Sequence, residues 1–518
     1  MGMQYGSVES TVSWGLNLTE TTVAQALQMS SPYSTYFLGK WNVGHYMPAL
    51  LPTSRGFDYF LGYQSGSSMY WSKTSPNTKS RTSSNSHDAV EFVDLLYGDG
   101  SCYAAYDGSD KHDYSTFLYR DKAVNIIKHH KYKAPLFLLV AFQAVHDPFV
   151  DVGTFSSGIP KTYVGTSMYR KIKANVVGRR RRQYAMALYL MDEAIDRIQA
   201  AVKKVNQMDN TYFIFTSDNG GCASAGGRNG PLRGNKGTLF EGGTKVDALL
   251  YSSSLATSMQ GTSYAGLMHV VDWFPTILDM AGVSYTPPAG YELDGVSHWA
   301  KLQTLDNSNS DAVVISPRTY MLYNYYADVD EVDFPTDGVV RAARNSQYKY
   351  ITTWVDDAYS SWDEPDVAQS DDSNLETWGT CEQANGWKIG TYSEFLFDLA
   401  SDPYEVTNLW DDETYAETKN ELEQVLDTYY ANRKTDVIRF RESKACFEAF
   451  REAGNYIVPW AVGSTGYPTF NKDGCEATLV SPDSTADVDD DNFSDLSPTQ
   501  QPTFEPSFEP TRRPSVSP

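Results

Sequence analysis

The sequence predicts an α/β fold with a large, mostly parallel sheet, and three observations predict it. Residues 33–38, 136–141 and 211–216 are short uncharged runs rich in apolar and aromatic side chains, the pattern of strands buried on both faces. Each run delivers a polar block: Gly39-Lys40-Trp41-Asn42, then Gln143 through His146 to Pro148, then Ser217-Asp218-Asn219-Gly220-Gly221. Between the second and third runs, Leu188, Met191, Ile195, Ile198 and Val202 form a helical stripe, so strand, helix and strand succeed one another as in a βαβ unit. Ligands of such sheets collect at the carboxyl ends of strands, so one edge should gather Lys40, His146 and Asp218.

The other elements follow in order. Thr22 and Gln25 match a capping box that opens a short helix through Met29. Residues 72–115 are rich in Ser, Asn, Asp and Gly and read as a long excursion with little regular structure. Residues 119–130 are a helix. Arg179, Arg180, Arg181 and Arg182 precede the helical stripe; they read as a solvated helix start, with a processing site or an anion patch as alternatives. Residues 247–251 are a further strand, and 268–281 a helix that Pro275 kinks or breaks. From about residue 300 the texture changes to short β-like stretches (339–343, 348–354, 395–398), an acidic loop at 356–372 and a helix at 413–432. Beyond Cys475, prolines recur every four residues from Pro498 to Pro518. That tail lacks the apolar surface to fold and reads as an extended stalk.

Composition excludes several classes. With 41% hydrophobic and 21% charged residues over 518 positions, the chain is globular and long enough for two or three cores. A net charge of −23 argues against nucleic acid as a partner. No run reaches membrane-spanning length. The first residues carry neither a basic n-region nor an apolar h-region, so no signal peptide is present in this chain. The five cysteines form no C-x-x-C pair, which argues against zinc, and the odd count leaves one thiol over if the rest pair. Asn17-Leu18-Thr19 and Asn492-Phe493-Ser494 are glycosylation sequons.

Asp218 and Asn219 offer hard oxygen ligands of the kind that hold Ca²⁺ or Mg²⁺. Pro231-Leu232-Arg233-Gly234-Asn235-Lys236 and Glu241-Gly242-Gly243 follow. A metal ligand set with fixed cations beside it is equipment for a tetrahedral oxyanion such as sulfate or phosphate. S-D-N-G-G, P-L-R-G-x-K and E-G-G, in this order, resemble the sulfatase family, particularly its arylsulfatase B-like members. The Lys40 block matches the family's G-K-W-H-x-G, and Arg55-Gly56-Phe57-Asp58 its R-G-F-D. His146 before Pro148 matches its histidine block. His269 falls in an H-x-x-D-W-x-P-T packing element and is read as structural. Asp402, Pro403, Glu405, Asn408 and Leu409 match a D-P-x-E-x-x-N-L segment.

The resemblance covers residues 1–435 and implies an alkaline-phosphatase-like sandwich. Residues 1–300 would be the catalytic domain without its first portion, 301–475 a smaller α+β subdomain with an antiparallel sheet, and 476–518 an acidic, then Pro/Ser/Thr-rich, tail. It implies metal-assisted hydrolysis of sulfate esters by a formylglycine nucleophile. Asp218 and Asn219 would hold one ion, Ca²⁺ before Mg²⁺; Lys40, His146 and Lys236 would bind sulfate, with His146 passing a proton to the leaving oxygen. The implied partner is a sulfated small molecule or glycan, and the implied location the secretory pathway, extracellular or lysosome-like.

Two departures qualify this reading. No C-x-P-S-R or S-x-P-S-R motif is present, nor an early Asp-Asp pair; Pro52-Thr53-Ser54-Arg55 lacks a nucleophile two residues before its proline. Residues 1–4 resemble the segment that follows the family's nucleophile, so the chain as written lacks the nucleophile and the first strand and would be inactive. The family histidine of G-K-W-H is Asn42 here, and an amide cannot take a proton at neutral pH. His45, three residues on, is a poor substitute because loop geometry seldom tolerates such a shift. The alternatives are a degenerate sulfatase that binds sulfated glycans, its tail tethering it in the extracellular matrix, and a phosphohydrolase, which the P-L-R-G-x-K and G-K-W blocks disfavour.

Overall fold

The computed structural model describes residues 11–475 except 82–88, 101, 109, 111, 150–157, 291, 307–314, 324–339, 356–390, 433–443, 462–468 and 472–474. The proline-rich tail, Asn492 and the acidic loop at 356–372 lie outside the described residues. Helix α1 (Val23–Ser30) opens on the predicted capping box: Gln25 N donates to Thr22 Oγ1 at 3.1 Å and Thr22 N to Gln25 Oε1 at 3.0 Å. Strands β1 (Ser34–Lys40) and β2 (Tyr59–Tyr63) follow, then β3 (Thr74–Arg81), β4 (Ala89–Val93), β5 (Leu96–Asp99) and β6 (Cys102–Ala105). Helix α2 (Ser115–His129) leads to β7 (Leu136–Ala141). Helices α3 (Ser167–Asn175) and α4 (Arg179–Lys204) precede β8 (Phe213–Thr216), the one-turn helix α5 (Glu241–Thr244) and β9 (Ala248–Tyr251). Helices α6 (Trp273–Met280) and α7 (Trp299–Leu302) complete this part.

The remainder contributes β10 (Met321–Leu322), β11 (Arg341–Arg344), β12 (Tyr348–Val355), β13 (Thr391–Asp398), α8 (Ala416–Asn432), α9 (Lys444–Glu452) and β14 (Thr469–Phe470). The central sheet is mixed, in the order β14-β6-β5-β2-β1-β7; β1 runs parallel to both β2 and β7. A separate antiparallel sheet has the order β10-β11-β12-β13, as the reading of residues beyond 300 requires. Phe37, Phe57, Phe60, Phe92 and Tyr103 fill one face of the central sheet; Leu38, Leu61, Leu118, Tyr119 and Ile126 fill the face under α2. Each fully buried aromatic or aliphatic side chain of this kind contributes about 1.5–3 kcal/mol.

Several expectations change. Residues 72–115 hold more regular structure than expected: β3, β4, β5 and β6 lie there, and Phe92, Leu95, Leu96, Tyr103 and Ala104 are buried in the core. Pro275 neither kinks nor breaks a helix; α6 starts at Trp273 and Pro275 sits in its first turn, where no intrahelical N–H is lost. The arginine run is the start of α4, as its preferred reading had it, and all four side chains are partly exposed. Residues 444–470 return to the larger body: Cys446 and Phe450 of α9 pack with Phe92 and Phe60, and β14 pairs in parallel with β6. Cys102 and Cys475 are disulfide-bonded and Cys446 is a buried free thiol.

The largest change concerns residues 211–216, expected inside the parallel sheet and buried on both faces. Strand β8 instead pairs antiparallel with β9, and Phe215 is 37% and Leu249 65% exposed. One face is covered: Phe213 shares a cluster with Leu136, Leu138, Ile127, Ala201 and Val202 of β7, α2 and α4. Among the described residues neither β7 nor β8 has a strand on its second edge, and every residue of β7 is partly exposed. The apolar sequence fits burial that these residues do not complete by themselves.

Candidate active site

Lys40 closes β1, in register with Tyr63 at the end of β2. The strands come close just below it: a Cβ on Gly39, whose φ is +102°, would stand 2.0 Å from Ala141 O of β7. Only glycine fits there. From the end of β7 the chain turns to His146, whose carbonyl accepts from Tyr70 Oη at 3.0 Å. From the end of β8 it passes to Asp218 and Asn219.

The three glycine-rich blocks after β8 form one stitched loop. Gly220 N donates to Gly243 O at 3.0 Å, Gly242 N to Arg233 O at 2.6 Å and Lys236 N to Gly221 O at 3.1 Å. A Cβ on Gly220 would stand 1.8 Å from Gly242 O, so D-N-G-G and E-G-G meet backbone to backbone. Asn229 bridges the loop through Gly221 and Gly234.

The stitching brings Lys236 onto His146. The Lys236 ammonium lies 3.0 Å from His146 Nε2, and His146 Nδ1 lies 2.5 Å from Asp147 O. With Nδ1–H donating to the carbonyl, Nε2 is the acceptor for the ammonium, and the imidazole is neutral. Burial lowers the His146 pKa, Lys236 lowers it further, and Lys40 acts in the same direction. Lys40, His146 and Lys236 therefore share one electrostatic neighbourhood, as the strand-end reading expects. Asp218 is in it too: its charge helps raise the Tyr63 phenol, after burial and Tyr119. No hydrogen bond or ion pair engages the Asp218 carboxylate among the described residues. Asn219 Nδ2 donates to Gly220 O at 2.9 Å.

The chemistry of Asp218 and Asn219 suits a hard cation but fills only part of its shell, since Ca²⁺ takes six to eight oxygens. Among the described residues no three His, Cys, Asp or Glu side chains converge as a metal-binding group. Arg233 is not in this site. Its guanidinium lies 4.1 Å over the Phe240 ring, faces Phe395 and Phe397, and donates to Glu405 O at 3.3 Å. A planar, weakly hydrated cation prefers such aromatic faces. Arg55 is structural as well, donating to Leu18 O at 3.1 Å. His45 is buried with its ring edge-on to Trp460, not turned to replace Asn42.

Apart from Asn42, already singled out in the sequence, sequence reading missed a group of buried polar atoms around the ends of β1 and β2. Asn42 Oδ1, Tyr63 Oη, Gln64 Oε1, Gln64 Nε2 and Ser68 Oγ have no hydrogen-bond partner among the described residues. Such atoms are costly to bury unsatisfied. The one available signal was their place just past the ends of β1 and β2.

These strand-end cations and the unengaged carboxylate beside them lie on an alkaline-phosphatase-like sandwich. The sulfatase family profile matches residues 2–283, and the chain belongs to the sulfatase family, whose members are sulfuric ester hydrolases. Arylsulfatase J of Mus musculus is 31% identical over 417 residues, covering 79% of this chain and 62% of the relative. N-acetylgalactosamine-6-sulfatase of Homo sapiens is 29% identical over 276 residues, 51% of this chain and 45% of the relative. The chain thus spans less than two thirds of either. Among solved structures, Ps i-CgsB superposes with a TM-score of 0.58 at 20% identity, covering 86% of this chain and 81% of that one; it has also been solved with k-i-k-neocarrahexaose. PsFucS1 sulfatase from Pseudoalteromonas sp. gives 0.54 at 19% identity, with 82% and 77% covered. At that identity the structures bear on the fold alone.

Proposed function

We propose that this protein hydrolyses sulfate esters of glycans. The observation that carries the reading is the Lys236–His146 pair, 3.0 Å apart, in the field of Lys40 and beside Asp218. Lys236 and Lys40 bind and orient the sulfate; neutral His146, held by Asp147 O, is positioned to pass a proton at Nε2 to the leaving oxygen. Asp218 and Asn219 would hold a divalent cation, Ca²⁺ by the hardness of their oxygens, which when bound polarises the sulfate. A disulfide between Cys102 and Cys475 favours an oxidising, secretory location.

A second reading is favoured by Asn42. With an amide at the family histidine position, the protein binds sulfated glycans without turnover. Titration of the His146 imidazole by inorganic sulfate, followed by NMR, tests the shared part of both readings. Sulfate should shift the resonance in the wild type and not in Lys236→Met; an unperturbed wild type would refute the site. Release of nitrophenol from p-nitrophenyl sulfate by the full-length gene product then separates hydrolase from binder.

A further inference from the structure

Residues 158–191 contain eight lysines and arginines and no carboxylate, in a chain of net charge −23. Three elements bring this charge to one surface. Helix α3 carries Arg170, Lys171 and Lys173, all exposed, and packs on α4 through Tyr169, Ile172, Met186 and Leu190. The first turn of α4 carries Arg179, Arg180, Arg181 and Arg182, each partly exposed. The loop after β8 carries Arg228, exposed.

The surface is fastened to the candidate site. Arg180 Nη1 donates to Ser224 O at 2.7 Å and Arg181 Nη1 to Gly226 O at 2.6 Å. Ser224 and Gly226 belong to the same stitched loop that carries Asp218 and Lys236. Four like charges crowd one helical turn at the positive end of the helix dipole, with no acidic residue in that turn. An anionic partner relieves that repulsion and gains from the dipole. An extended helix start would also be a poor protease substrate, because these arginines are already helical.

We propose that α3, the start of α4 and the loop around Arg228 form a recognition surface for a polysulfated glycan chain, adjacent to the site that holds one of its sulfates. This assignment of substrate class rests on the sulfate-ester reading of that site. It separates the protein from enzymes acting on small monosulfates, since only a chain with several charges reaches both places.

The test uses the full chain and a fluorescein-labelled heparin octasaccharide, with anisotropy read between about 50 and 200 mM salt. The variant Lys171→Gln/Lys173→Gln/Arg228→Gln avoids the arginines that pin the loop. It should weaken heparin binding roughly tenfold or more and flatten the salt dependence, with an unchanged melting temperature. Undiminished binding by the variant overturns the proposal. So does equal wild-type affinity for an oligodeoxynucleotide of matched charge, which would show unselective attraction. The His146 response to inorganic sulfate should be identical in wild type and variant, so a failure of the sulfate site is read separately from a failure of this surface.

Discussion

The Lys236 ammonium points its proton at Nε2 of His146 from 3.0 Å. Two positive charges there would repel, and the imidazole yields because burial already disfavours its charged form. Lys236→Met should therefore raise the His146 pKa, measured by NMR titration of the ring protons. An unchanged value would mean that Lys236 does not hold His146 neutral. With the folded pKa below the ordinary 6.5, His146 withdraws stability as pH falls below that value.

Lys349, fully buried, lies 2.9 Å from Glu241 and 3.0 Å from Glu405, and Arg344 approaches Glu241 at 3.3 Å. Two cations thus face two carboxylates, and Glu405 also accepts from Glu241 N at 2.7 Å. Removing one partner strands the opposing charges. Lys349→Met should cost about 3–5 kcal/mol in urea unfolding. A loss below about 1 kcal/mol would show that the pair is solvated in solution.

His269 is pushed down to about 4, by burial first and then by Arg318. Its folded state resists protonation, so up to about 3 kcal/mol of stability should be lost as pH falls from 6.5 towards 4. Nδ1 of His269 accepts from Val271 N at 3.4 Å, a cap that asparagine can also provide. His269→Asn should match the wild-type melting temperature at pH 7.5 and fall less steeply on acidification. Parallel curves would assign the acid loss elsewhere.

Leu249 and Tyr251, 65% and 48% exposed on β9, and the edge of β8 that no strand covers among the described residues make an apolar surface. Exposed edges of this kind template association. Leu249→Lys should lower light scattering at high concentration while changing stability by no more than about 0.5 kcal/mol. Scattering identical to the wild type would mean that another surface associates.

What could be read beforehand was what local pattern dictates. Lys40, His146 and Asp218 each follow an apolar strand run, and a strand end fixes where the next side chain emerges. The roles of Asp402 and Glu405 were visible only as a motif; their partners, Thr407 N at 2.7 Å and Glu241 N at 2.7 Å, give its physical content. Arg233 was misplaced because its aromatic partners Phe395 and Phe397 lie far along the chain and nothing local announces them. The hairpins of 72–115 were hidden because their short apolar runs, around Phe92, Leu96 and Tyr103, stand among the Ser, Asn, Asp and Gly of the segment. Whether β8 would be covered could not be read from its own composition, since burial depends on the neighbours a strand acquires.

The return of α9 and β14 to the sheet begun by β6 has a consequence for biosynthesis. Phe60 and Phe92 wait for Phe450, and β6 for residues 469–470. The amino-terminal core therefore cannot close until residues 444–470 have been made. Until those residues have left the ribosome it remains an open intermediate, in need of chaperone protection.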